Sequence, residues 1–360
     1  MEPANDQIKI MNKFLTEILE QPEALKKTLM YYTDGQGKNT LKELKGIFDR
    51  KSSEQIIFTG MGSSNYTSMA ASTLFNTLGI PAFSVNTSEL LHYNLGLLKK
   101  PATLICFSQS GESYEIREIL KKIPEGTFTV GITNEDQSTL AKQADVALFS
   151  KAGKEEMTST KSYITTALVS FILGWFLADQ WDDKKIKAIE DLTDKFSEKL
   201  DHYDTWVNEA IDFMGELPAL SIIARGPGIS TAMQSGLMFK ETTKIPAFGI
   251  LGGEFRHGPM EMVQEGFKSI LFASEGRTLD QSLKMAKDIA GFGGKVLLIT
   301  NTKAEILHKN ILVIPISEQD EFLFSIQSII PIQLFIDSYA KQKGYEAGDF
   351  THGAKVTEIE

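Results

Sequence analysis

Three short segments recur in order along this 360-residue chain at an almost constant spacing. Phe58-Thr59-Gly60-Met61-Gly62 has its counterpart in Ala224-Arg225-Gly226-Pro227-Gly228. Gly79-Ile80-Pro81-Ala82-Phe83 returns as Lys244-Ile245-Pro246-Ala247-Phe248, and Gly131-Ile132-Thr133-Asn134 as Leu298-Ile299-Thr300-Asn301. The offsets are 166, 165 and 167 residues. Ordered matches at one spacing mean a tandem duplication of a single folding unit. In each copy apolar runs alternate with helical patterns, which requires a parallel sheet covered on both faces. The fold class is therefore α/β, two doubly wound parallel-sheet units in tandem.

The pattern predicts strands near 54–60, 81–86, 102–108, 127–132 and 146–149 in the first unit. Those of the second fall near 219–224, 247–250, 267–273, 295–300 and 311–315. Helices are expected near 66–78, 88–97, 113–122, 138–143 and 160–180, then near 230–243, 278–291 and 321–343. Residues 1–35 read as a helical extension, 36–181 as the first unit, 211–343 as the second and 344–360 as a tail. The stretch 182–210 reads as a bridging helix, because Ile186, Ile189, Leu192 and Phe196 make one apolar face.

Ser108-Gln109-Ser110-Gly111-Glu112-Ser113 follows the apolar run Thr103-Leu104-Ile105-Cys106-Phe107 and feeds a helical pattern. A hydroxyl-rich turn between a strand and a helix N-terminus is a ready anion site. Unpaired backbone N–H groups and the positive end of the dipole point at the ligand. The turn has no Lys or Arg, which suits a monophosphate on a small metabolite; its bland reading is an ordinary N-cap. In the second copy the turn becomes Ser274-Glu275-Gly276-Arg277-Thr278, one residue shorter, with an acid that would repel phosphate. One anion site is expected, in the first unit.

Other segments join it. Gly60-Met61-Gly62-Ser63-Ser64 ends the first strand, so Ser63 and Ser64 lie at the same carboxyl edge, where open α/β sheets bind ligands. Met157-Thr158-Ser159-Thr160-Lys161 starts a long apolar helix and could bind ligand or simply cap it. Gly252-Gly253-Glu254-Phe255-Arg256-His257-Gly258-Pro259 reads as a Gly-rich loop carrying a titratable His. With Glu241, sixteen residues earlier on a helix, His257 makes a candidate acid–base pair beside a carbonyl.

Charge and composition narrow the partners. A net charge of −10 argues against nucleic acid or an anionic membrane surface. The lone Cys106 excludes a disulfide framework or a thiolate metal cluster, and it reads as a core residue. No metal or other cofactor is expected. The apolar stretch Ala167–Ala178 is too short to span a bilayer, and the polar start resembles no signal peptide, so the expected location is the cytoplasm.

Taken together these motifs resemble the double sugar-isomerase (SIS) fold. That family includes the isomerising half of glutamine–fructose-6-phosphate aminotransferase, SIS-type glucosamine-6-phosphate deaminases and fructosamine-6-phosphate deglycases. The resemblance runs from about residue 30 onward and extends to the tail Ala354-Lys355-Val356-Thr357. It implies that Ser108, Gln109, Ser110 and Ser113 cradle phosphate and that Ser64 and Ser159 contact the sugar. It also implies that Glu241 shuttles a proton between C1 and C2, and that the tail enters the active site, where Lys355 forms a Schiff base with a ketose. His257 would assist ring opening from the neighbouring subunit, so a homodimer with composite sites is implied.

Two departures matter. The chain carries no amide-hydrolysing domain, which implies that it does not make ammonia from glutamine. Members that transfer an amino group have a lysine three residues before the catalytic Glu, and Met238 stands there. The leading expectation is an isomerase/deaminase acting on a 6-phosphorylated amino sugar. The rivals are a deglycase splitting a fructose-6-phosphate–amino-acid conjugate and a phosphosugar-binding regulator without turnover.

Overall fold

The computed structural model describes residues 12–50, 55–99, 101–200, 203–317 and 319–348, with His352 and Lys355. Helices α1 (Lys13–Leu19), α2 (Gln21–Thr33) and α3 (Gln36–Arg50) precede the first sheet. Its strands are β1 (Gln55–Gly60), β2 (Ala82–Asn86), β3 (Ala102–Phe107), β4 (Phe128–Thr133) and β5 (Val146–Phe149). Helices α4 (Ser63–Thr77), α5 (Thr87–His92), α6 (Tyr114–Lys122) and α7 (Thr139–Gln143) connect them, and α8 (Lys161–Leu177) follows. Next come α9 (Asp183–Leu200) and α10 (Tyr203–Met214). The second sheet holds β6 (Leu220–Ala224), β7 (Ala247–Leu251), β8 (Lys268–Ala273), β9 (Lys295–Thr300) and β10 (Ile311–Pro315). Its helices are α11 (Gly228–Thr243), α12 (Gly252–Arg256), α13 (Leu279–Gly291), α14 (Glu321–Gln327) and α15 (Ile329–Gln342).

The first sheet runs β2-β1-β3-β4-β5 and the second β10-β9-β8-β6-β7, all parallel. Read from its β7 edge, the second order is the first, so the duplication holds at the level of topology. In this order the chain leaves β1 and β3 toward opposite faces, which opens a crevice at their carboxyl ends. The two strands end level there, with Gly60 opposite Phe107.

The largest core joins the two units through α8, α4, α11 and α15. Helix α8 is apolar around its whole circumference and buried along nearly its whole length, as a core helix must be. Its one charge, Lys161, is 3% exposed and is held by Glu20 at 2.5 Å and the Lys154 carbonyl at 2.6 Å.

Several helix ends depart from the sequence pattern. The helix expected near 88–97 is α5 followed by a 3₁₀ turn, Leu95–Lys99, with Gly96 inside it. The described residues of the bridging segment 182–210 form α9 and α10 on either side of 201–202, and Ile189, Leu192 and Phe196 are fully buried on the face predicted. The run 321–343 breaks at Ser328, because Pro331 has no N–H for the carbonyl of Gln327. Glu321–Gln342 is long and apolar enough to cross a membrane, and more so than Ala167–Ala178, but it is almost wholly buried in the protein. The Gly-rich loop at 252–259 is instead α12 and a 3₁₀ turn, Pro259–Met262, joined through Gly258 at a φ of 131°.

Candidate active site

The first sheet delivers its buried strand β3 to Phe107, and the chain then turns through Ser108–Ser113 into α6. Gly111 makes the turn possible, with a φ of 65° and no room for a side chain against Ser138. Ser108 is 6% exposed, and its Oγ accepts the Gly111 N–H at 3.1 Å. Glu112 does not face the ligand crevice. Its carboxylate takes the Thr139 N–H at 2.6 Å and the Thr139 hydroxyl at 2.9 Å, stitching the turn to α7.

Ser113 stands at the N-cap of α6 without capping it, and α4 begins behind Gly62, which has no side chain to cap with. Neighbouring α5 and α7 are capped by Asn86 and Ser138. Two helix starts without a side-chain cap therefore meet at the crevice, the arrangement that binds an anion, although at α4 the Ser64 and Asn65 N–H groups already donate to the Met61 carbonyl at 3.0 and 3.4 Å.

The crevice is a cavity of about 280 Å³, the size of one small metabolite. Ser63, Ser64, Ser108, Gln109, Ser110, Ser113 and Ser159 all line it, together with Glu241 and Lys355. Of the motif Ala354-Lys355-Val356-Thr357 only Lys355 lies within the described residues. Leu237 and Glu241 come from α11 of the second unit, so both units build the site. Thr158 donates its hydroxyl to Glu241 Oε2. Burial pushes the Glu241 carboxyl up; that hydrogen bond and the Lys355, Lys240 and Lys244 ammonium groups only partly oppose it. A carboxylate raised in this way is suited to taking and returning a proton.

Sequence reasoning missed Glu155, which is fully buried behind the cavity. Its Oε1 accepts the Thr160 and Ser162 N–H groups at 2.9 and 3.0 Å and the Thr160 hydroxyl at 3.2 Å. Its Oε2 accepts the Ser162 hydroxyl at 2.5 Å and Lys355 Nζ at 2.6 Å. Burial alone would raise Glu155, but the Lys355 ammonium and the hydrogen bonds from Lys355 and Ser162 hold it below the ordinary carboxylate range. Glu155 thus caps α8, which frees Thr158 and Ser159 for the cavity. It also anchors Lys355, which donates in addition to the Met157 carbonyl at 2.6 Å. No local spacing flags Glu155, because its partner lies 200 residues away.

His257 is not brought to Glu241 within one chain. It ends α12, is exposed, and does not line the cavity. The reason is the short helix itself, which turns Phe255 into the second-unit core and leaves His257 outside.

The second copy of the anion turn is closed by an acid of its own. Glu321 at the start of α14 accepts the Arg277 N–H at 2.9 Å and packs over Gly276, while Glu275 N–H donates to Asn301 at 2.7 Å. The asymmetry read from the sequence therefore has a structural counterpart, and Glu321 adds to it.

The SIS domain signature matches residues 50–174 and 219–339. Over 355 residues the chain is 27% identical to a glutamine–fructose-6-phosphate aminotransferase [isomerizing] of Bartonella henselae, covering 96% of this chain and 58% of that protein. A relative of the same description from Pyrococcus horikoshii is 28% identical over 359 residues, covering 96% and 57%. The chain thus spans somewhat over half the length of these relatives. Among solved structures, the C-terminal domain of glucosamine-fructose-6-phosphate aminotransferase from Francisella tularensis superposes with a TM-score of 0.83 at 23% identity, covering 96% of this chain and all of that one. Glucosamine-6-phosphate deaminase from Thermotoga maritima gives 0.76 at 21% identity, covering 96% and 99%. Both structures share the fold.

Two outcomes follow from this geometry. Glu155→Gln, which breaks a buried pair, is expected to lower unfolding stability in urea by about 2–3 kcal/mol. Lys355→Met should cost less, because Glu155 keeps its four donors at α8; equal losses would show that Glu155 is not the anchor. If the turn holds an anion, Ser108→Ala combined with Ser110→Ala should weaken binding of a phosphate monoester by about 1–3 kcal/mol per lost donor, and Ser274→Ala should leave it unchanged. Calorimetry reads the difference, and equal losses from both turns would contradict a single anion site.

Proposed function

The chain belongs to the SIS domain family, and on that premise we propose that it is an enzyme releasing the amine of a 6-phosphorylated amino sugar through aldose–ketose chemistry. The observation that carries this reading is one cavity joining two uncapped helix starts to a buried, raised carboxylate from the opposite unit. The helix starts hold the phosphate, which fixes the sugar chain along the cavity toward Glu241. Glu241 takes the proton from C2 of the open-chain amino aldose as the C2–H bond breaks, and returns it to C1. The resulting C2 imine adds water and loses ammonia, leaving the ketose phosphate.

A deglycase is the second reading, and two observations favour it. Met238, where amino-transferring members resemble one another in carrying lysine, is fully buried in the apolar core. Lys355 Nζ donates to the Glu155 carboxylate and the Met157 carbonyl, so it must leave both before it can attack a carbonyl. A fructose-amino-acid 6-phosphate already carries its amine at C1. There Glu241 would move the proton from C1 to C2, and water would cleave the C1 imine to an aldose phosphate and the amino acid. A regulator that only binds phosphosugar has no task for Glu241.

His257 enters this reading from a second copy of the chain. It is exposed on the same stretch of chain, β7 through the 3₁₀ turn, as the exposed apolar residues Phe248, Leu251 and Met262, which supports a two-fold dimer with composite sites.

Incubation with glucosamine 6-phosphate and with fructose-amino-acid 6-phosphates, assaying ammonia and free amino acid, tests the proposal; binding of both without release of either would leave the regulator. Glu241→Gln is expected to cut turnover by about 10²–10⁴-fold with substrate still bound. Thr158→Val removes a hydrogen bond that favours the charged carboxylate, so the acid limb of the pH–rate profile should move to higher pH. An unmoved limb would take the proton-transfer role away from Glu241. Mixing inactive His257→Ala with Glu241→Gln protein should restore activity, because each mixed dimer keeps one intact site; an active monomer by light scattering would exclude composite sites.

A further inference from the structure

Helix α1 stands ahead of both units, and the proposed chemistry leaves it without a role. It is nevertheless pinned to them. Phe14, Leu15 and Ile18 lie in the core that joins the units, and Asn12 Nδ2 donates to Asp337 Oδ1 on α15 at 2.7 Å. The buried face of α1 also carries an acid, Glu17, which is 6% exposed.

Between β5 and α8 the chain runs from 150 to 160 without a helix or a strand. Such a segment has no ladder of its own, so its backbone groups need partners from the elements packed against it. Glu17 Oε1 accepts the Glu156 N–H at 2.6 Å and the Met157 N–H at a longer 3.4 Å. Lys13 also reaches Glu156, at 2.5 Å, but that pair lies at the surface and adds little. The stretch held by Glu17 is the one that presents groups to the site. The Met157 carbonyl accepts from Lys355 Nζ at 2.6 Å, and the next residue, Thr158, donates its hydroxyl to Glu241.

We infer that Glu17 is a positioning residue for the candidate active site: by taking the amides of Glu156 and Met157 it fixes where the Met157 carbonyl holds Lys355 and where the Thr158 hydroxyl meets Glu241. Glu17 does not itself line the cavity. The role needs an acceptor oxygen at that spot and no particular charge. Helix α1 is then the reference against which a loop of the first unit is aligned with α11 of the second, since α1 and α11 both pack on α15. The inference rests on the parts that the proposed function gives Glu241 and Lys355, and deepens them.

Two measurements on the intact protein test it, and the first needs no substrate. Lysines are acetylated with an amine-reactive ester, and the rates at Lys355 and Lys161 are read by peptide mass spectrometry. Lys161 is the internal control, because Glu20 and the Lys154 carbonyl hold it without Glu17. Glu17→Leu keeps a side chain of similar size in the helix. It is expected to speed labelling of Lys355 by roughly tenfold, as for a lost hydrogen bond from a charged group, and to leave Lys161 unchanged. Glu17→Gln, with an amide oxygen in place of Oε1, should label like wild type. Equal acceleration at both lysines would mean a loosened fold, and no acceleration at Lys355 would mean that Met157 is held without Glu17; either overturns the role. The second measurement is the pH–rate profile. Glu17→Leu should lower kcat with KM little changed and move the acid limb to higher pH, as Thr158→Val does, and the double variant should move it no further. Additive shifts would show that Glu17 does not act through Thr158. A wild type that turns over neither substrate would overturn the enzyme reading, and the labelling rates would still decide the role of Glu17.

Discussion

The packing of α4 against α11 is the contact on which the site depends. Each helix follows the first strand of its own sheet, so the duplication presents equivalent helices to each other and fuses two cores into one. At the start of α4 stand Ser63 and Ser64; near the end of α11 stand Leu237 and Glu241. A side chain at Gly62 would stand 3.8 Å from Leu237. That approach brings a carboxylate of one unit over the helix starts of the other. Neither unit alone could combine an anion cradle with a base.

The cradle depends equally on what is left undone. A helix start normally finds a capping side chain, and α5 and α7 do so in the same unit. At α4 and α6 no side chain caps the start, and at α4 the Met61 carbonyl takes the Ser64 and Asn65 N–H groups instead. The second unit shows the alternative, with Glu321 supplied from within the chain. The two repeats thus keep one topology and differ in whether an acid of the chain itself closes the turn.

All ten strands were legible in the sequence to within a residue or two, because strands buried on both faces read as unbroken apolar runs. The cavity's serines were legible for a related reason: they follow those runs, where the chain must turn. The helix break at Ser328 was not, since a pattern of apolar residues continues across it. Nor were the buried acids Glu115 and Glu155. An acid in a polar stretch reads as solvated, and only the folded chain shows what closes over it. His257 was legible as a candidate and misleading as a partner of Glu241, because nearness in sequence carried no information about which face of α12 it would take.

The pair Glu155–Lys355 spans 200 residues and brings the tail onto a loop of the first unit. Ribosomes release a chain in one direction, and early units fold while later ones are still being made. The strands and turns of the first sheet are therefore made while α11 and Lys355 are still inside the ribosome or unwritten. During that interval neither Glu241 nor Lys355 stands beside the Ser108–Ser113 turn. The cavity is complete only when the last contact closes, so a prematurely terminated product lacks one of its walls.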